Sequence, residues 1–248
     1  MRFTQRLIAA AALGLPMICH AGPSDYVNTP SVEYGERELD FKYGTWRFND
    51  LDQRESASSL GVGYGATPWW FTEAYLKVHK EPGDRTRYDA FEWENKFQLT
   101  ETNRYPVDMG LLTEVEIPKE DAIEGYEFKV GPLFQFDTGA LRWNANLFLQ
   151  RSIRGAPAEP HVTELSYQLQ AAYHVAHGLD IGAQAFGEMG EWNHWAPSNE
   201  QTHRVGPAVF GKVKLTGREA IVYNAAWLIG AAKGAPDNTL RVQVEYEF

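Results

Sequence analysis

From Leu39 to Phe248 the sequence alternates apolar and polar residues one by one, and this period of two constrains the fold more than any other feature. Leu141, Trp143, Ala145, Leu147 and Leu149 alternate with Arg142, Asn144, Asn146, Phe148 and Gln150. Leu165, Tyr167, Leu169, Ala171 and Tyr173 do the same against Ser166, Gln168, Gln170, Ala172 and His174. The last stretch sets Leu240, Val242, Val244, Tyr246 and Phe248 against Arg241, Gln243, Glu245 and Glu247. A strand sorts each stretch into one apolar and one polar face, whereas a helix would smear both around its circumference.

Read in this way, the chain predicts strands near 38–48, 57–67, 70–80, 86–99, 108–118, 124–136, 140–151, 163–175, 179–191, 204–215, 219–232 and 239–248. The expected architecture is therefore all-β: an antiparallel up-and-down transmembrane barrel of about twelve strands, each with the roughly 9–11 residues that a tilted strand needs to cross a bilayer. The mean hydropathy of −0.42 does not oppose this, because lipid-facing and water-facing residues average out along every strand. No run of about 18 apolar residues offers a spanning helix instead.

The connections agree with that reading. Short turns fall at Ala66-Thr67-Pro68, Asp137-Thr138-Gly139, His177-Gly178 and Thr216-Gly217-Arg218, with longer polar stretches between them. Outer-membrane barrels carry short turns on the periplasmic side and long loops outside. Thr100 to Val107 breaks the pattern, being long where a short turn is due, so the boundaries of the fourth and fifth strands are set least firmly. Pro132 and Pro207 fall inside strands, each within Val-Gly-Pro, and predict a bulge or kink at equivalent places.

Arg2 and Arg6 precede the apolar stretch Leu7 to Ile18, and Ala21 is a small residue suited to cleavage, so residues 1–21 read as a secretory signal peptide. Residues 22–37 then form an N-terminal periplasmic segment, and 38–248 the barrel. Losing the two arginines would take the net charge from −10 to −12 and remove the single cysteine, Cys19. An acidic chain without clustered Lys and Arg is not expected to bind nucleic acid.

The C-terminal run Val242, Val244, Tyr246, Phe248 resembles the assembly signal of Gram-negative outer-membrane β-barrels, a porin-like class: alternating apolar positions closed by a terminal aromatic. The resemblance implies recognition by the barrel-assembly machinery, insertion among outer-membrane lipids and localisation in the cell outer membrane after export through the periplasm. It does not select a subfamily. Aromatics then fall into two interfacial girdles, Trp70, Phe97, Phe136, Trp143, Tyr173 and Phe248 toward the short turns, Tyr88, Tyr126 and Trp227 toward the long loops.

With the apolar row in lipid, the polar row lines a lumen. Glu92, Glu94, Lys96, Glu114, Glu116, Glu127, Lys129 and Arg142 are the candidate constriction residues. Their charge predicts a small porin-like channel or transporter passing small polar or cationic solutes; the alternatives are a non-conducting structural or surface-binding barrel and a transporter of hydrophobic compounds. No enzymatic activity, cofactor or metal is expected. The barrel phospholipase with this strand count carries a His-x-Ser pair, and here only His161-Val162-Thr163 approaches it. His174 and His177 lack a third ligand within reach, and the Trp192–Trp195 loop reads as an interfacial loop.

Overall fold

A computed structural model of the chain describes residues 22, 24–48, 53–119, 125–153 and 161–248. The expected signal peptide, and parts of the long loops expected at 49–56, 118–123 and 152–162, lie outside these residues. Among the described residues the structure is all-β. The strands are β1 (Arg37–Phe48), β2 (Gln53–Thr67), β3 (Trp70–Lys80), β4 (Arg87–Gln98), β5 (Asp108–Pro118), β6 (Tyr126–Thr138), β7 (Leu141–Ile153), β8 (Thr163–Ala176), β9 (Leu179–Glu191), β10 (His194–Trp195), β11 (Thr202–Lys214), β12 (Ala220–Gly230) and β13 (Asn238–Glu247). Twelve of them pair antiparallel in sequence order and close on themselves, β13 against β1. The thirteenth, β10, is a two-residue spur on the end of β9.

Closure satisfies the backbone, because a sheet without edges leaves no unpaired row of N–H and C=O groups in hydrocarbon. The seam is continuous: Glu38 through Arg47 pair with Glu247 through Asn238, and the Phe248 N–H donates to the Arg37 carbonyl at 2.8 Å. The C-terminal strand is thus the piece that seals the cylinder.

The alternation sorts the side chains with ionic groups inside. Leu39, Phe41 and Tyr43 are exposed while Glu38, Asp40 and Lys42 between them are buried; Val242 and Val244 are exposed while Arg241 and Gln243 are buried. A wall of exposed Leu, Val, Ile, Tyr and Trp over the outer face is the arrangement lipid stabilises. Near the short turns it ends in stacked aromatics, Trp70 on Phe97, Phe136 on Trp143 and Tyr246 on Phe248. Outward indoles find local acceptors: Trp93 donates to Thr72, Trp143 to Thr138 and Trp227 to Asn238.

The connection at 99–107 is long but internally bonded. Asn103, with φ 60°, donates its N–H to Asp108 at 2.8 Å, and Gln98 donates to the Thr100 carbonyl and the Thr102 hydroxyl. Of the bulge or kink expected at the two Val-Gly-Pro stretches, the bulge is absent. The register is the same on both sides of each; the β6–β7 ladder skips Gly131 and Pro132, and the β11–β12 ladder skips Gly206 and Pro207. A bulge would have shifted the register. Both glycines point inward and press against the neighbouring strand: a Cβ on Gly131 would run into the Leu147 carbonyl oxygen, and one on Gly206 into that of Trp227.

Residues 24–36, read from the sequence as part of a periplasmic segment, instead pass through the lumen. Val27 packs with Ala172, Phe186, Ala208, Phe210, Ala226 and Leu228. The Asn146 amide donates to the Asn28 carbonyl at 2.9 Å, and the Val32 N–H to Gln98 at 2.7 Å. At the short-turn end Gly35 and Glu36 bond to both sides of Gly65 before the chain enters β1.

Gly131→Ala and Gly206→Ala are each expected to cost about 1–3 kcal/mol, as overpacking does. The measurement is the urea midpoint of the refolded barrel, and unchanged midpoints would remove the close-approach account of these glycines.

Candidate functional site

The alternation delivers carboxylates to the lumen from adjacent strands in unfavourable register. Glu92 stands opposite Glu116 and Glu94 opposite Glu114 across β4 and β5. Like charges directly opposite are destabilising unless something neutralises them. Two lysines from the flanking strands do so. Lys77 of β3 bonds Glu92 at 3.0 Å and also Glu116, while Lys129 of β6 bonds Glu114 at 2.6 Å. Oxygens of Glu92, Glu114 and Glu116 lie within 4.8 Å of one another, with the lysine ammonium groups as their counter-charges.

A second cluster anchors the N-terminal segment to this wall. Asp40, 1% exposed, accepts from Tyr75 at 2.9 Å and Gln243 at 3.1 Å, with the Lys42 ammonium 3.4 Å away. That ammonium lies 3.6 Å from the ring centre of Tyr26 and 3.5 Å from that of Tyr75, a cation held between two aromatic faces. The Tyr26 hydroxyl reaches Glu94 at 3.4 Å. Burial of both charges is tolerable because each has a partner.

On β7, β8 and β9 the inward row is made of amides. Gln184 donates to Gln170, Gln170 to Asn144, and Asn144 to Gln135, over 2.7, 3.3 and 3.1 Å. Amides act as donor and acceptor at once, so this chain needs no counter-ion. The inward face is not wholly polar, however. Leu112, Leu133 and Phe148 form one buried apolar cluster, and Phe186, Phe210 and Leu228 belong to another. Sequence reading placed polar residues inside and missed these; Phe148, standing in the polar register of β7, was the available sign.

Above the segment, toward the long loops, remains a cavity of about 410 Å³. Glu92, Glu94, Glu114, Glu116, Glu127 and Lys129, expected as constriction residues, all line it, together with Asp25, Lys42 and Lys77. Lys96 is not on its wall and sits over the Phe71 ring at 4.9 Å. Arg142 is paired with Asp137 at 3.0 Å beside the β6–β7 turn, partly exposed and away from the cavity. His174 bonds Asp180 at 2.8 Å, and His203 is stacked on Tyr167 and bonded to its hydroxyl.

At the base of the lumen Glu36 has its carboxyl pushed up to about 7, first by burial and then by the neighbouring Glu247. A carboxyl raised in the folded state binds its proton more tightly there than in the unfolded chain, so its contribution is fully present below about 4.5 and is lost as pH rises to about 7.

Lys129→Met should therefore destabilise the barrel by about 3–5 kcal/mol, because Glu114 is left as a buried uncompensated charge. Adding Glu114→Gln should recover most of that loss; equal stability of the single and double variants in urea would show that the pair is not coupled. The carboxyl carbon signal that Glu36→Gln removes should titrate near pH 7 in ¹³C NMR, and a midpoint near 4.5 would contradict its burial.

No protein-family model and no curated protein matches this sequence. Solved structures nevertheless share its shape. The NanC porin is similar with a TM-score of 0.55 at 10% identity, covering 85% of this chain and 98% of that one. The translocator domain of the autotransporter NalP from Neisseria meningitidis is similar with a TM-score of 0.51 at 14% identity, covering 87% and 89%. This chain thus shares the fold of those proteins, a closed antiparallel β-barrel.

Proposed function

We propose that this chain is an outer-membrane channel that passes small polar solutes through a charged lumen, with its own N-terminal segment seated in the passage. The observation that carries the reading is the cavity of about 410 Å³ at the long-loop end, roomy enough for many waters, walled by paired glutamates and lysines and floored by Ser24, Asp25, Tyr26 and Asn28. Ionised groups in that number require hydration or pairing, and the cavity provides the first where lysines do not provide the second. The carboxylates there outnumber the lysines, which raises the local concentration of cations and of solutes with a cationic group.

The floor is held far less firmly than the wall. Residues 26, 28 and 32 make five direct hydrogen bonds to the barrel among those described, through Tyr75, Glu94, Gln168, Asn146 and Gln98. At about 1 kcal/mol each they amount to roughly 5 kcal/mol, whereas the wall is a closed ladder that cannot open in lipid without exposing backbone. Movement of the segment is the inexpensive route to an open pore. Outer-membrane lipids would contact the exposed apolar face, and the barrel-assembly machinery would read Val242, Val244, Tyr246 and Phe248, three of which are exposed on that face. A second reading, a non-conducting structural barrel, is favoured by the amide chain and apolar clusters that fill the lower lumen.

Planar-bilayer recording of the refolded protein should show small conductance steps that grow severalfold when residues 24–33 are deleted. Glu92→Gln with Glu94→Gln should lower the preference for cations. A membrane that stays silent with the shortened chain would favour the structural barrel.

A further inference from the structure

One opposed pair of lumen glutamates has no lysine to neutralise it. Glu73 of β3 stands directly opposite Glu94 of β4, and both are 4% exposed. Lys77 and Lys129 bond Glu92, Glu116 and Glu114, but among the described residues no lysine or arginine forms an ion pair with Glu73 or Glu94. Like charges opposed in this way repel unless something of opposite charge lies between them.

Asp40 brings a third carboxylate to the same place. Gly61 of β2 is paired with Asp40 on one side and with Tyr75 on the other. It has no side chain to hold its neighbours off: a Cβ there would lie 2.4 Å from the Tyr75 ring and 2.7 Å from Glu73 Oε1. The Tyr75 hydroxyl thereby reaches Asp40 at 2.9 Å, and the Tyr26 hydroxyl lies 3.4 Å from both the Tyr75 hydroxyl and Glu94. A line of oxygens thus runs from Asp40 through two phenols to Glu94. Two carboxylate oxygens in this group, Asp40 Oδ1 and Glu73 Oε1, are fully buried and have no hydrogen-bond partner. The Lys42 ammonium is turned toward Asp40 Oδ2 and the rings of Tyr26 and Tyr75. Three carboxylates against one ammonium leave two negative charges, and a charge persists in such burial only when it is paired or bound to a metal.

We infer that Asp40, Glu73 and Glu94 bind a calcium ion in the lumen wall at the edge of the cavity. Carboxylates are the hard oxygen ligands that calcium takes, and three of them with two oxygens each approach its demand for roughly 6–8. Magnesium keeps several of its waters, and Asp40 and Glu73 lie outside the cavity lining where such waters would stand. Glu94 does line the cavity and gives the ion its entry. The site adds a ligand to the lumen and holds whether or not the barrel conducts.

Terbium, a stand-in for calcium whose emission is excited through nearby tyrosine, tests this on the chelator-treated, refolded full chain in nonionic micelles. The unchanged chain should show saturable emission that calcium displaces and magnesium at equal concentration does not. Glu73→Gln should weaken terbium binding about tenfold or more, and Asp40→Asn serves as a second variant with the same expectation. Glu92→Gln with Glu116→Gln, at the lysine-neutralised cluster, should leave it nearly unchanged, with sheet content by circular dichroism confirming that each variant is folded. Calcium should also raise the urea midpoint of the unchanged chain and not that of Glu73→Gln, because a ligand bound by the folded state alone stabilises it. No saturable emission in the unchanged chain, equal affinity in Glu73→Gln and Asp40→Asn, or loss in the Glu92 and Glu116 variant alone overturns the site. Conduction is not read, so the result is independent of the channel proposal.

Discussion

Backbone hydrogen bonding in hydrocarbon is the constraint on which the rest of this structure depends. Every N–H and C=O at membrane depth must find a partner within the protein, and a closed ladder is the way strands achieve that. The consequence is visible at the seam, where β13 and β1 pair along ten residues and Phe248 bonds back to Arg37. It is visible again at the two Gly-Pro steps, where the ladder is interrupted on one side yet keeps its register, so that neither proline displaces the residues beyond it.

Once the outside is given to lipid, the ionic residues have nowhere to go but inward, and the lumen becomes an electrostatic problem. Its solution varies around the wall. Between β3 and β6 opposed glutamates are neutralised by Lys77 and Lys129; from β6 to β9 amides bond one another without net charge; beyond them Arg204 and Arg241 lie against the ring of Phe186, itself part of an apolar cluster. The N-terminal segment touches each of these regions, with Tyr26 at the acidic wall, Asn28 at the amides, and Val27 and Asp25 at the apolar and arginine side. One short stretch of chain thus matches three different chemistries, which explains why it threads the barrel rather than lying beneath it.

The same arrangement relates occupancy of the lumen to function. A wall held by a continuous ladder is rigid, while the segment is held by a handful of hydrogen bonds, a cation–ring contact at Tyr26, an ion pair at Asp25 and the burial of Val27 and Pro30, so the two have different opening costs. Under the proposed channel function, charged groups that face the occupied lumen, such as Glu94 beside Tyr26, are the groups a solute would meet in its place.

Strand existence, strand phase and the outward direction of the apolar row were legible in the sequence, because a period of two survives any register. Leu39, Phe41 and Tyr43 could only share a face, and Val242, Val244 and Phe248 likewise. The six cavity-lining members of the charged set followed from the same parity. What parity cannot supply is height along the barrel or what occupies the centre. Arg142 shares the inward row with Asn144 and Asn146 but ends beside a turn with Asp137, a matter of strand tilt and shear. Phe186, Phe210 and Leu228 face inward because a neighbour across the lumen, Val27, covers them. The path of residues 24–36 was decided only by tertiary structure, since a segment with no period of its own takes its course from the surfaces that the closed wall presents to it.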